Sequence, residues 1–113
     1  MKDCIFCKII AGEIPSEIIY KNDGAVAFRD TSPQAPVHVL VVPKKHIPRI
    51  DSPEASEPVI AESLFKAVAD ISAKLGLKDG YRVVVNSGKH GGQTVGHLHL
   101  HILGGRQMGW PPG

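Results

Sequence analysis

Apolar and polar residues follow helical spacing in some segments of the chain and strand spacing in others. Residues 57–75 place apolar side chains every three or four positions, which predicts an amphipathic helix that ends at Gly76. Asp3 precedes the apolar run 4–10, which predicts a short helix with Asp3 as its N-cap. Short apolar or alternating runs predict β-strands at residues 18–20, 25–28, 37–42, 81–85 and 97–103.

The order of these elements indicates the fold class. Asn22-Asp23-Gly24 separates the first two predicted strands and is typical of a hairpin turn. Helices and strands do not alternate as they would in a repeating βαβ series. The sequence therefore predicts an α+β fold, in which a long helix packs on an antiparallel sheet.

Composition narrows the class of protein. The 113 residues, 42% of them apolar, predict a single domain spanning residues 1–113. The net charge is only +2 and the basic residues are scattered, so we expect neither a nucleic-acid-binding stripe nor a disordered tail. No apolar run approaches the ~20 residues of a membrane helix, and the first residues lack the apolar stretch of a secretory signal. These features predict a soluble, cytoplasmic protein without a membrane or nucleic-acid partner.

Both cysteines of the chain stand in one C-x-x-C motif, at Cys4 and Cys7. In a reducing compartment such a pair is typical of a metal half-site or a redox motif. The redox interpretation requires the pair to follow a strand early in a βαβ unit, and no strand precedes Cys4. The metal interpretation is therefore favoured.

Three of the six histidines lie within five residues, at His97, His99 and His101. Alternate side chains of a strand share a face, so the three imidazoles should form a row on the open face while Leu98, Leu100 and Ile102 point into the core. Such a row suits two chemistries: a zinc cluster, or nucleophilic catalysis by an imidazole that is largely neutral at pH 7. Composition does not choose between them.

The preceding glycine-rich loop favours a phosphate-binding role. Glycine permits the close approach and positive φ with which Gly91-Gly92-Gln93-Thr94 can turn backbone N–H groups toward an anion. Thr94 adds a hydroxyl and Asn86 an amide. These groups suit a phosphate better than a bare metal ion.

The motifs together resemble the histidine-triad (HIT) superfamily, and within it the Hint branch of nucleotide-binding proteins. Residues 97–103 match the signature in which three histidines alternate with apolar residues, and the flanking matches extend the resemblance over essentially the whole chain: residues 32–36, 43–46, 91–93 and 104–113. The resemblance implies the HIT-like fold, an antiparallel five-stranded sheet with one long and one short helix. It also implies a homodimer whose sheets join edge to edge.

The resemblance implies a hydrolase that cleaves the P–N bond of purine nucleoside 5′-phosphoramidates, of the adenosine 5′-monophosphoramidate type, and releases AMP. His99 would attack and form a nucleotidyl-histidine, His101 would donate to the phosphate, and His97 with His38 would orient the row. The implied nucleotide contacts are Phe6, Ile9, Phe28, Asp30 and Thr31 around the base and sugar, and Asn86, Gly92, Thr94 and Val95, with His99 and His101, around the phosphate and ribose.

Two other functions stay open at this point. One is a nucleotide-binding regulatory or scaffold protein with incidental hydrolysis. The other is a dinucleoside polyphosphate hydrolase, against which the C-terminal Trp-Pro-Pro-Gly argues.

The resemblance also implies a structural zinc ion and a contribution from a second subunit. Zinc would be held by Cys4, Cys7, His46 and His97, the tetrahedral S₂N₂ set that it favours, and the chemistry itself would need no cofactor. Trp110 would reach the rim of the partner's active site. His90 is assigned no role.

Overall fold

The computed structural model describes residues 3–113. Met1 and Lys2, the first residues of the predicted domain, lie outside the described residues. The elements in chain order are α1 (Ile5–Ile10), β1 (Ile18–Lys21), β2 (Ala25–Arg29), β3 (Val37–Pro43), a 3₁₀ turn (Pro53–Ser56), α2 (Pro58–Lys74), β4 (Tyr81–Val84), α3 (Gly88–Gly91) and β5 (Leu100–Gly104). Among them there is no helix long and apolar enough to cross a membrane.

The five strands form one sheet in the order β1-β2-β3-β5-β4, and every neighbouring pair is antiparallel. This confirms the predicted α+β class with its long and short helices. The 3₁₀ turn and the four-residue α3 are additions, and α3 occupies part of the segment predicted to be a flexible glycine loop. The turn at Asn22 is held by its side-chain oxygen, which accepts from the backbone N–H groups of Gly24 and Ala25.

The sheet buries both faces. Helix α2 covers one face, where Ala27, Val39 and Ile102 pack against its apolar side. The alternate positions of β2 and β3, such as Phe28 and Leu40, point to the other face and pack against α1. Alternate residues of the strands therefore pack into two hydrophobic cores, and the smaller core includes the N-terminal helix.

The last strand differs from its prediction. It begins at Leu100 rather than His97, so His97 and His99 precede the strand. Leu98 and Ile102 point into the core as predicted, at 1% and 0% exposure. The histidine face, however, is not open: His97 and His99 are buried, and the Phe6 ring of α1 lies 5.8 Å from the His97 ring and 5.2 Å from the His99 ring.

Candidate active site and metal centre

The three histidines of the 97–101 segment diverge into two groups. His97 faces the N-terminal cysteines, while the rings of His99 and His101 lie 5.0 Å apart and line a cavity. Each ring has two nitrogens, and the hydrogen-bond partner of one determines which nitrogen carries the proton in the neutral ring.

His99 is oriented by the backbone of its own segment. Its Nδ1 lies 2.8 Å from the carbonyl oxygen of His97, and because a carbonyl only accepts, Nδ1 must carry the hydrogen. The neutral ring then has its lone pair on Nε2. Nothing in residues 3–113 forms a hydrogen bond to Nε2, so this nitrogen is the one available to a ligand.

His38 and His101 form a directed hydrogen-bond chain. The backbone N–H of Gln34 donates to His38 Nδ1 at 3.0 Å, so the proton of the neutral His38 ring is on Nε2. That nitrogen lies 2.9 Å from His101 Nδ1, to which it donates, and 3.4 Å from Asp30 Oδ2. His101 is left with its hydrogen on Nε2. The chain thus places a donor at His101 beside an acceptor nitrogen at His99.

Burial keeps the rings of His38 and His101 neutral. It lowers the pKa of His38 below the ordinary 6.5, and the nearby Asp30 carboxylate only partly opposes the effect. Burial also lowers the pKa of His101, and the neighbouring His99 and His38 rings lower it further. Near pH 7 both rings are uncharged, which is the state in which His38 can donate to His101.

His97 has the opposite tautomer and a different environment. Its Nε2 lies 2.9 Å from the carbonyl oxygen of Pro43, so the hydrogen is on Nε2 and the lone pair is on Nδ1. Nδ1 lies 3.2 Å from Cys4 Sγ and 3.6 Å from Cys7 Sγ. His46 joins the group, with its Nδ1 3.4 Å from Cys7 Sγ. Burial is the main cause of the lowered pKa of His97, which favours the neutral ring that a metal ion requires.

The two thiols and two imidazoles fit a tetrahedral metal ion. Their ligand atoms all lie within 4.8 Å of one another. His97 donates from its other ring nitrogen, Nε2, to the carbonyl of Pro43, as metal-binding histidines commonly do to a backbone carbonyl. Burial and the adjacent Cys4 raise the pKa of Cys7, and a bound cation would reverse that effect by stabilising the thiolate. This group of four residues could therefore hold a metal ion.

The start of α1 contributes to this group and corrects a prediction. The N-cap is Cys4 rather than Asp3, and Cys4 Sγ accepts from the backbone N–H of Cys7 at 3.3 Å. A sulfur rather than a carboxylate therefore caps the helix, because the chain turns Cys4 inward toward His97. A helix N-terminus favours negative charge, so this position also suits a thiolate.

The cavity beside His99 gathers most of the predicted nucleotide contacts. It has a volume of about 290 Å³ and lies between α1, the end of β2 and the glycine-rich loop. Its lining includes nine predicted residues: Phe6, Ile9, Phe28, Asp30, Thr31, Thr94, Val95, His99 and His101. Gly92 instead lines a neighbouring cavity, and Asn86 is not part of either lining.

Sequence reasoning missed several residues at this site. Ile14, Pro15 and Leu40 complete the apolar wall of the cavity. Gln93 holds the loop: its amide nitrogen donates to the carbonyls of Pro48 and Val95, and its amide oxygen accepts from the N–H of Gly88. A glutamine inside a glycine-rich loop was the signal for such a brace, although one of its partners, Pro48, is 45 positions away in sequence.

The C-terminal tail lies outside this cavity. Trp110 is 84% exposed, and no residue among 3–113 covers its ring. Arg82 ties the tail to the sheet by donating to the carbonyl of Gly109 at 2.7 Å.

Known proteins resemble the chain over nearly its full length. The family model described as HIT domain matches residues 11–108. An uncharacterized HIT-like protein of Synechococcus elongatus is 51% identical over 112 residues, which cover 99% of this chain and 98% of that protein.

Solved structures agree with this match. A HIT family hydrolase from Legionella pneumophila has a TM-score of 0.89 and 47% identity, and covers 98% of this chain and 100% of its own. A histidine triad protein from Clostridium difficile has a TM-score of 0.90 and 44% identity, and covers 96% of both chains.

Proposed function

Because the chain belongs to the HIT domain family, whose members bind nucleotides and include hydrolases, we propose that it hydrolyses purine nucleoside 5′-phosphoramidates and releases AMP or its purine equivalent. The observation that supports this most strongly is the hydrogen bond from His99 Nδ1 to the carbonyl of His97. It leaves an unprotonated Nε2 on a residue that lines a cavity of small-molecule size. The same nitrogen would also serve a dinucleoside polyphosphate hydrolase, against which the C-terminal Trp-Pro-Pro-Gly argues.

The first step transfers the nucleotidyl group to His99. The lone pair of His99 Nε2 forms a bond to the α-phosphorus while the P–N bond of the substrate breaks. The leaving nitrogen keeps that electron pair and takes up a proton from water. The ring becomes cationic as it attacks, and the carbonyl of His97, 2.8 Å from Nδ1, stabilises the charge.

The second step is hydrolysis of the nucleotidyl-histidine. A water oxygen attacks phosphorus, the bond to His99 Nε2 breaks, and the electron pair returns to the ring. The water proton passes to solvent and the nucleoside monophosphate leaves. His101 Nε2–H donates to a phosphate oxygen in both steps, and His38 keeps it in that tautomer without touching the substrate.

The rest of the cavity suits a nucleoside. Phe6 and Phe28 offer aromatic surface beside Ile9, which fits a planar base. Asp30 can accept hydrogen bonds from ribose hydroxyls, although one of its carboxylate oxygens, Oδ2, also lies 3.4 Å from His38 Nε2. We extend the proposal to Asn86, Gly92, Thr94 and Val95 as contacts to the phosphate and ribose.

The metal group would hold zinc in a structural role. Cys4, Cys7, His46 and His97 supply all four ligands of a tetrahedral ion, which leaves no position for a substrate oxygen. Zinc would join α1 to the segment before β5, so that the Phe6 ring and the carbonyl of His97 keep their positions at the active site. We also propose the reducing cytoplasm as the location, since Cys4 and Cys7 are free thiols, as a zinc site requires.

A homodimer is part of the proposal. Strand β4 is an edge of the sheet, and Tyr81 and Val83 on it are exposed apolar side chains. Phe65 of α2, 78% exposed, borders an apolar cavity that includes Val83. An exposed apolar edge strand beside an apolar helix surface favours pairing with a second copy. In such a dimer Trp110 would border the partner's cavity.

Single-turnover trapping tests the function directly. Wild-type protein mixed with adenosine 5′-phosphoramidate and quenched within one turnover should carry one AMP moiety on the peptide that contains His99. The His99→Ala variant should bind AMP and carry no adduct. Tight AMP binding without any turnover would instead support the scaffold function. Faster cleavage of a dinucleoside polyphosphate would support the third.

A further inference from the structure

A second cavity adjoins the one beside His99. It has a volume of about 460 Å³, and Thr94 lines both cavities. A nucleoside phosphoramidate has two substituents that need space, the nucleoside and the amine, and they lie on different sides of phosphorus. With the nucleoside beside Phe6 and Phe28, the phosphate lies near Thr94. The amine can then extend past Thr94 into the second cavity.

The second cavity is basic. Arg49 and Lys89 line it, and its lining contains no carboxylate. Asp51 pairs with Arg49 through Nε, at 2.9 Å, and through Nη2, at 3.4 Å, but does not engage Nη1. Lys89 forms no ion pair with any residue of the 3–113 segment. The charge that faces this space is therefore positive even after the contribution of Asp51.

The wall of this cavity is held in place by backbone contacts. The Gln93 side chain joins two of its lining residues, Pro48 and Gly88, by hydrogen bonds of 2.7 and 2.9 Å to their backbone, and it also donates to the carbonyl of Val95. The Arg49 guanidinium packs over Gly88, where a Cβ would lie 3.1 Å from Nη1. Gly88 also has a φ of +72°, which favours glycine at this position. The loop and the arginine are thus close neighbours along this wall.

Gly96 leaves the cavity open. A Cβ at this position would meet no atom within 4 Å, and Gly96 also lines a further cavity that reaches His46. A large side chain at position 96 would project into this space. The size of the amine that the cavity admits should therefore depend on residue 96.

We propose that this basic cavity binds the amine leaving group and favours amines that carry an anionic group, such as the carboxylate of an amino acid. The inference rests on the proposed phosphoramidase function. The P–N bond breaks as described above, and the anionic group does not react: it contacts Lys89 and Arg49 Nη1. Amines with an added positive charge should be poorer substrates, because the same two side chains repel them.

A pair of substrates that differ only in charge tests the proposal. AMP joined through nitrogen to alanine is compared with its methyl ester, and the ratio of the two kcat/KM values is the readout. Wild-type protein should prefer the free carboxylate by about fivefold, as expected for a partly exposed ion pair, and added salt should reduce the preference. Lys89→Gln and Arg49→Gln should each bring the ratio toward one. Lys78→Gln changes an exposed lysine that lines neither cavity, so it is the matched control and should keep the wild-type ratio.

Two further measurements make the result decisive. Gly96→Phe should lower kcat/KM for the alanine substrate more than for unsubstituted phosphoramidate, whose leaving group is ammonia. AMP joined through nitrogen to aminoethylphosphonate is compared with the alanine substrate. A higher kcat/KM for the phosphonate would indicate a site for phosphate-like anions, and a lower one a site for carboxylates. Equal ratios in wild type, Lys89→Gln and Arg49→Gln would overturn the inference.

Calorimetric binding of the carboxylate and the ester to His99→Ala separates this inference from the proposed function. Absence of turnover with every phosphoramidate would refute the proposed function, while the two affinities would still measure the charge preference. Equal affinities would refute the inference alone.

Discussion

His97 and His99 are two residues apart on one segment, yet they have opposite tautomers. His97 donates from Nε2 to the carbonyl of Pro43 and has its lone pair on Nδ1, toward the cysteines. His99 donates from Nδ1 to the carbonyl of His97 and has its lone pair on Nε2, toward the cavity. One histidine is suited to hold a metal ion and the other to attack phosphorus.

A backbone carbonyl, and not the identity of the residue, determines the role of each histidine. A carbonyl can only accept, so its position selects the protonated nitrogen, and the other nitrogen becomes the ligand or nucleophile. The carbonyl of His97 also links the two groups, because a shift of the metal site would move the acceptor of His99. Substitutions at His99 and at the cysteines should therefore have separable effects on catalysis and on stability.

His99→Ala should abolish turnover, with a loss of at least about 10⁴-fold in kcat, because no other group provides the attacking lone pair. Steady-state kinetics with adenosine 5′-phosphoramidate measures the loss, and metal analysis should still find wild-type zinc content. A variant that retains more than about a tenth of the activity would rule out His99 as the nucleophile.

Cys4→Ala should affect the metal-binding group, and its main effect should be a loss of protein stability. Loss of a ligand should remove the zinc and lower the free energy of unfolding by about 3 kcal/mol or more. Urea denaturation and metal analysis measure both effects. A chelator should destabilise the wild type but not the variant; an equal response of the two proteins, or a wild type without stoichiometric zinc, would contradict the metal site.

His38→Leu should lower kcat by about 10- to 100-fold, because His101 loses the donor that determines its tautomer. His38→Gln is the matched control, since its amide nitrogen can donate from near the position of Nε2, and it should recover most of the activity. KM should change less than kcat in His38→Leu, because His38 does not line the cavity. Equal activities of the two variants would show that the hydrogen-bond chain has no part in catalysis.

Acid should produce the smallest effect, a loss of stability through His38 and His101. Burial lowers the pKa of each below 6.5, so the native state binds fewer protons than the unfolded state below that pH. The free energy of unfolding should therefore fall as pH decreases below 6.5 and stay level with respect to these groups above it. His38→Gln should show a shallower decrease in urea denaturation between about pH 7.5 and about pH 5.5. Metal release at low pH would affect the wild type and His38→Gln alike, so the test is the difference between their two slopes of unfolding free energy against pH. Identical slopes would contradict the role of His38.

Much of the fold was predictable because it depends on local periodicity. The alternation around Leu98, Leu100 and Ile102 correctly placed these residues in the core, and the helical period of residues 57–75 agrees with α2 to within a residue at each end. The start of β5 was wrong because strand propensity says nothing of what covers a strand. Here α1 packs over the histidines. The backbone before Leu100 forms hydrogen bonds outside the sheet; for example, the N–H of Leu98 donates to the carbonyl of Ile47.

Three motifs are visible in the sequence: three alternating histidines, a C-x-x-C pair and a glycine-rich loop. Each lies within a few residues, where covalent spacing limits the geometry. How these motifs combine depends on the folded chain. Cys4 and His97 are 93 positions apart, and His38 and His101 are 63 apart, so no local pattern specifies their contacts. Protonation depends on the same long-range packing, because the carbonyls and the N–H that select each tautomer are aligned by the backbone of the folded chain. The residue types thus limited the possible chemistry, and the fold assigned a nitrogen of each ring to its role.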